Sequence, residues 1–263
     1  MTRWRLLETG ARQGGWNMAC DAALHASADA ADASPTLRFY GWDPPAVSLG
    51  HHQPDPTPDE VARLRALEVD WVRRPTGGRA VYHGGSEEEL TYSVAAPLGE
   101  AGFGAGLADS YRRIHAAIAA ALAGLGAQVE LAPPRSARSP AEAICPTSRR
   151  ACFATTVPWE IESGGRKLVG SAQRRSRRAL LQHGSIPLAG DQALMAEIWP
   201  GSLQPGRTTT VSAAVGRPVG FAELAASLAA AFEKSLVAEL EPAALTDEEL
   251  RGINAALGAP ALA

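Results

Sequence analysis

Residues 159–188, WEIESGGRKLVGSAQRRSRRALLQHGSIPL, constrain the fold more than any other stretch of the chain. A short run of strand-forming residues stops at Gly164-Gly165, a dipeptide suited to the positive φ angles of a two-residue hairpin turn, and resumes at RKLVGSAQ. The chain then turns a second time, through the basic RRSRR, into ALLQHGSIPL. Two hairpins in succession do not fit a sheet built only from βαβ crossovers. The remaining pattern has to supply helices to cover whatever sheet these hairpins join.

It does so at irregular intervals. Residues 16–30 read as an Ala-rich helix with Asn17 at its N-cap, followed by the strand TLRFYGW (36–42), a stop at Pro44-Pro45, and the short apolar run AVSLG. Residues 58–68 form a helix with Pro58 in its first turn and Val61, Leu64 and Leu67 at helical spacing. The strand VDWVRR (69–74) leads into the glycine loop PTGGRAVYHGGSEEEL, and TYSVAAP (91–97) is the strand after it. Residues 98–106 read as a loop. A helix over 107–126 places Tyr111, Ile114, Ile118, Leu122 and Leu125 on one face, with Gly126 near its end. Residues 131–150 are Pro-rich and read as a loop. A last strong helix spans 220–240, and TDEELRGINAAL forms a short helix in the tail. Strands and helices interleave without a clean βαβ repeat, which predicts an α+β fold: a mixed β-sheet flanked by helices, in a single domain over 1–263.

Composition narrows the function by exclusion. A net charge of -3 argues against wrapping nucleic acid or coating a membrane, so any basic patch has to be local. The three cysteines (20, 145 and 152) are odd in number and lack CxxC spacing, which fits a reducing compartment better than a disulfide framework or a zinc ribbon. The N-terminus has no apolar signal core, and no run of eighteen apolar residues occurs, so a cytoplasmic location is expected.

Of 25 basic side chains only Lys167 and Lys234 are lysine; the rest are arginine. Where generic positive charge is written as Arg, a Lys within KLVGSAQ stands out, because an ammonium can be tuned by burial and a guanidinium cannot. Cys152, in the basic SRRACF, is a candidate nucleophile, since a thiol needs a nearby cation or base to become reactive. Cys20 lies on an apolar helix face and reads as core; Cys145 is open. Gly77-Gly78, within RRPTGGRAVYH, permit close approach of backbone to a ligand or serve simply as a turn. Neither a P-loop nor GxGxxG spacing occurs, so no nucleotide cofactor is implied, and the scattered His51, His52, His83 and His183 do not make a metal site. Arg149, Arg150, Arg174, Arg175, Arg177 and Arg178 concentrate charge near Cys152 and Lys167, either as a solvated turn or as a dock for an acidic partner.

Taken together, these blocks resemble the lipoate-ligase/octanoyltransferase superfamily. RRPTGGRAVYH resembles its RRxxGGxAVxH loop, KLVGSAQRRSRRALLQHGSI its KxxGSAQ segment and the strand that follows, and NMACDAAL and LRFYGWDPPAVSLG its N-terminal segments. Cys152-Phe153, Trp159-Glu160-Ile161 and Arg166-Lys167 resemble the arrangement of the cysteine-dependent octanoyltransferase branch. The resemblance implies a biotin/lipoate ligase-like catalytic domain that carries an octanoyl group from acyl carrier protein, through a Cys152 thioester, to the lysine of a lipoyl carrier domain. The acceptor would be a protein such as the glycine-cleavage H protein or a 2-oxoacid dehydrogenase subunit, and no cofactor is needed. Lys167 would orient the acyl carbonyl. Arg73, Arg74, Gly77, Gly78, Arg79, His83, Gly170, Ser171, Ala172, Gln173, His183 and Gly184 would bind substrate. An ATP-dependent ligase, an amidotransferase between lipoyl proteins, and a non-catalytic lipoyl-domain binder are the alternatives. One departure is the long HGGSEEELTYS spacing after His83, expected to reshape the pocket mouth.

Overall fold

The computed structural model describes residues 1–30, 33–85, 87–99, 103, 106–133, 158–190, 192–202 and 206–258. The first half contributes β1 (Thr2–Arg12), α1 (Gly14–Ala28), β2 (Thr36–Trp42), β3 (Ala46–Leu49), α2 (Pro58–Ala66), β4 (Asp70–Arg73), β5 (Val81–His83), β6 (Glu89–Pro97) and α3 (Leu107–Gly124). The second half contributes β7 (Glu130–Leu131), β8 (Ile161–Ser163), β9 (Arg166–Lys167), β10 (Gly170–Arg175), β11 (Ala179–Pro187), α4 (Leu194–Ile198), α5 (Val211–Val215), α6 (Phe221–Leu236), β12 (Ala238–Pro242) and α7 (Asp247–Gly258).

Six strands form the main sheet in the order β10-β11-β6-β2-β1-β12. The β10, β11, β6 and β2 neighbours are antiparallel, whereas β1 lies parallel to both β2 and β12. The sheet is therefore mixed, as the successive hairpins require. Side-chain alternation sorts its two faces. Val94 and Ala96 of β6, Leu180 of β11, and Leu37 and Phe39 of β2 pack with Ile114, Ile118 and Leu122 of α3 and Leu224, Leu228 and Phe232 of α6. Ala95 and Leu181 point the other way, onto Cys20 and Leu24 of α1 and Ile253 of α7. A small sheet, β4-β3-β5, lies beside this one, and a third joins β7-β8-β9.

Several local expectations hold for stated reasons. The turn between β8 and β9 has both Gly164 (φ 57) and Gly165 (φ 70) in the left-handed region. The turn at 176–178 joins β10 to β11 in register, with Ser171 opposite Gly184 and Ala172 opposite His183. Helix α2 begins on a capping box, in which Thr57 and Glu60 bond each other's backbone amides behind Pro58. Two expectations are corrected. Asn17 is not an N-cap: α1 starts at Gly14, and the fully buried Asn17 amide donates to the Arg12 and Gly41 carbonyls instead. The 220–240 helix stops at Leu236, because Val237 turns into the left-handed region (φ 55) and releases residues 238–242 as β12. Leu240 thus pairs with Trp4 across the sheet rather than extending the helix. The N-terminal strand β1 was not signalled by the sequence at all.

Two chain corners position the site. β2 passes directly into β3, and β5 directly into β6, so the main sheet and the small sheet share both walls of the space between them. Trp42 at the end of β2 stacks on His83 of β5, with centroids 3.9 Å apart, and donates from Nε1 to Thr91 Oγ1 of β6 at 2.8 Å.

Candidate active site

Between the two sheets lies a partly open pocket. Of the residues expected to bind substrate, Arg74, His83, Gly170, Ser171, Ala172, His183 and Gly184 line it. Met18, Tyr40, Trp42, Ser48, Val81, Thr91 and Ser185 complete the wall. Gly184 must be glycine: a Cβ there would sit 2.7 Å from Tyr92 Cε1 and 2.9 Å from the Gly170 carbonyl, and would also run into the Ser171 hydroxyl. Gly78 (φ 90) lies under Arg74 and 3.7 Å from the Ala172 Cβ, measured from where its own Cβ would be. A Cβ at Gly50 would collide with the Gly78 carbonyl, so the glycine loop is seated directly on the SLG segment.

The side chains of Arg73, Arg74 and Gln173 brace this wall, and Arg74 also lines it. Arg73 braces the 50–55 loop, donating to the carbonyls of Gly50 (2.8 Å) and Gln53 (2.7 Å) and pairing with Asp55. Arg74 gathers the glycine loop, donating to the carbonyls of Ser48, Gly77 and Arg79 at 2.9, 2.8 and 2.7 Å. Gln173 donates to Ser110 Oγ of α3 at 2.9 Å. Lys167 is buried and places Nζ 2.8 Å from Glu160 Oε1, with Glu160 equally buried. It is not among the residues lining the cavity. Cys152, Cys145, Arg149 and Arg150 lie outside the described residues.

Two buried networks back the cavity. On the α1 side, Asp21 accepts from Arg38 (2.7 Å), from Tyr40 (2.9 Å) and from His183 Nδ1 (2.7 Å). Burial pushes the Asp21 carboxyl up, but Arg38 and His183 together hold it below the usual carboxylate range. Burial lowers His183 against the pull of Asp21, so its ring is neutral at pH 7 with the proton on Nδ1. Its Nε2 then accepts from the Thr76 hydroxyl at 2.6 Å. Next to it, His83 links Glu89 (2.8 Å) to Ser48 (2.8 Å). The acidic segment after His83 is used here: Glu89 holds the histidine, and Glu88 folds against Gly84 and Gly190.

On the α3 side, His115 is fully buried and pushed down to about 4, chiefly by burial. Its Nδ1 lies 2.6 Å from the Trp159 carbonyl and its Nε2 lies 2.9 Å from Ser171 Oγ. Tyr111 touches both sides of this network, at 3.3 Å from the Ser171 carbonyl and 3.5 Å from Glu160. The reading of Cys20 as core is met: it is fully buried, and burial pushes its thiol up to about 12.

The decisive comparison covers most of this architecture. Residues 13–233 match the family model described as the lipoyl protein ligase A/B catalytic domain. The chain belongs to that family. Among curated relatives, an octanoyltransferase LipM from Symbiobacterium thermophilum is 40% identical over 239 residues, covering 87% of this chain and 85% of its own. A LipM from Kyrpidia tusciae is 40% identical over 197 residues, covering 74% of this chain and 70% of its own. Among solved structures, a bipartite lipoate protein ligase of Thermoplasma acidophilum, described with its E2 lipoyl domain, superposes with a TM-score of 0.71 at 20% identity, covering 97% of this chain and 92% of the other. That likeness establishes the biotin/lipoate ligase-like fold.

Within the lipoyl ligase frame, the wall residues that residue-by-residue reasoning missed were not silent. Met18, Tyr40, Trp42 and Ser48 all stand in NMACDAAL and LRFYGWDPPAVSLG, the two blocks whose pattern carried the resemblance. His115 had a weaker signal, a polar residue within an apolar helical stretch, whereas Glu160 stands in the Trp159-Glu160-Ile161 block. Among the described residues, no helix is long and apolar enough to cross a membrane.

Proposed function

We infer that this protein is an octanoyltransferase of lipoate biosynthesis, a protein acyltransferase whose single catalytic domain spans 1–263. The observation that carries this reading is 40% identity across 87% of the chain to a relative of that name. The slot between the sheets supports it, because its aromatic and small-residue walls suit an unbranched acyl chain.

The chemistry has two halves. Cys152 Sγ attacks the carbonyl of an octanoyl thioester on acyl carrier protein; a new C–S bond forms, the donor's C–S bond breaks, and the carrier thiol leaves with a proton. The amine of the lipoyl-domain lysine then attacks the enzyme thioester, an amide forms, and the Cys152 thiol is regenerated. Thioester to amide runs downhill, so the cycle needs no ATP. Arg174, Arg177 and Arg178, exposed at the turn between β10 and β11, offer positive charge to an acidic carrier. In this reading Lys167, its ammonium held at 2.8 Å by Glu160, orients the acyl carbonyl. A cytoplasmic location fits this reading.

Intact-mass measurement after mixing the enzyme with octanoyl-loaded acyl carrier protein, without ATP, tests this directly. The expected result is one hydroxylamine-labile octanoyl adduct on the wild type, none on Cys152→Ala, and its discharge by an apo lipoyl domain. Modification of the lipoyl domain by octanoate and ATP in Cys152→Ala would establish a ligase instead.

A further inference from the structure

The hydrogen-bond network behind Ser171 has one consistent direction. A carbonyl only accepts, so the 2.6 Å contact with Trp159 O places the His115 proton on Nδ1. The ring is neutral, being buried and pushed down to about 4, so Nε2 carries a lone pair. Ser171 Oγ, 2.9 Å away, must donate to it. With its only proton committed, Ser171 must accept from the Tyr92 hydroxyl at 2.8 Å, and Tyr92 in turn accepts from Gln182 Nε2 at 2.9 Å. Ser171 alone of this set lines the cavity; His115 stands behind it on α3. The arrangement is a serine of the slot wall whose hydroxyl is aimed at a histidine lone pair, with that histidine oriented by a third group.

We propose that Ser171 and His115 form the proton relay of the acyl-transfer step, with His115 a positioning residue that acts through the serine. The proposal rests on the octanoyl-transfer reading above. When the acceptor amine attacks the acyl carbon, the N–C bond forms and the amine proton passes to Ser171 Oγ as the Ser171 proton moves to His115 Nε2. When the C–S bond breaks, the same proton returns through Ser171 to the departing thiolate, so the relay ends as it began. The groups facing the ring are Tyr111 on its own helix, Lys167 of β9, Glu160 before β8, and Ser171 with Tyr92 behind it. Transient charge on His115 strengthens its bond to the Trp159 carbonyl, and Glu160 offsets the nearby Lys167 ammonium.

The experiment compares octanoyl transfer from acyl carrier protein to an apo lipoyl domain by wild type, His115→Gln, Ser171→Ala and the double variant. Each single change is expected to lower kcat about 100-fold, while KM for the acyl carrier protein stays within about twofold. The double variant is expected to be no slower than the worse single one, because the pair acts as a unit. In parallel, ¹⁵N-histidine spectra of the unmutated protein are expected to show one neutral Nδ1–H imidazole from pH 8 down to pH 5. An active His115→Gln enzyme, multiplicative losses in the double variant, or a His115 protonated on Nε2 overturns the relay while leaving the transferase reading intact. Absence of amide product from the wild type overturns the transferase reading and the relay with it.

Discussion

Asp21→Asn is the sharpest stability test of the buried network that carries the cavity wall. Asp21 and Arg38 are a fully buried ion pair at 2.7 Å, with both side chains wholly inaccessible. The substitution keeps the shape and removes the charge, leaving the Arg38 guanidinium buried against a neutral amide. Removing one partner of such a pair costs about 3–5 kcal/mol, most of it the desolvated charge left behind. For a chain of this size that corresponds to a drop in Tm of about 10 °C. The lone pairs of Asp21 are shared among Arg38, Tyr40 and His183. An amide nitrogen facing any of them replaces an acceptor with a donor, so the loss is not recovered by rotation about χ2. The pH dependence has a fixed sign. The folded-state pKa of Asp21 lies below its unfolded value. Its contribution is therefore present in full above the unfolded carboxylate pKa of about 3.9 and is lost as pH falls through the lower folded value. Urea denaturation at pH 7 and at pH 3 measures both quantities. A wild type and an Asp21→Asn variant within about 1 kcal/mol of each other at pH 7 would refute the assignment of a charged, structure-bearing pair.

Two further outcomes follow from local geometry. Gly184→Ala puts a methyl group against the Tyr92 ring and the Gly170 carbonyl; it should destabilise the fold by about 1–3 kcal/mol and abolish accumulation of the acyl adduct in the mass assay. A variant that folds and acylates like the wild type would show that β10 and β11 separate there. Cys20, buried with its thiol pushed up to about 12, should resist iodoacetamide in the native protein at pH 8 and react only in denaturant. A native adduct mapped to Cys20 would contradict its place under α7.

How far the fold could be read in advance depends on where local chemistry and tertiary packing agree. The hairpins were legible because Gly164 and Gly165 take the positive φ angles that only glycine adopts freely. β1 was not, because only Trp4 and Leu7 are fully buried along it, one on each face, and between them no period of two shows through. β12 was masked by coincidence: Leu240 falls four residues after Leu236, the spacing of a helix, although the break at Val237 comes between them. The site divides the same way. Wall residues on recognisable blocks were found, and Arg73 and Gln173 were named with them even though their side chains turn to the 50–55 loop and to α3. His115 and Asp21 stayed hidden, because each lies in a helix where composition suggests only burial, and nothing in the sequence says that a strand from elsewhere will bring Ser171 or His183 against it.

The Trp42–His83 stack has a consequence for how this slot measures length. Trp42 belongs to the main sheet, His83 to the small one, and Glu89 and Thr91 tie both together at the same corner. A wall pinned on two sheets at once is a fixed stop, not a lid. On the octanoyl-transfer reading, an acyl chain that reaches the indole meets a wall held from both sheets, and each methylene should add about 0.8 kcal/mol of binding only up to that contact. Transfer assayed with acyl carrier protein loaded with a series of chain lengths is then expected to show a sharp cut-off rather than a gradual decline.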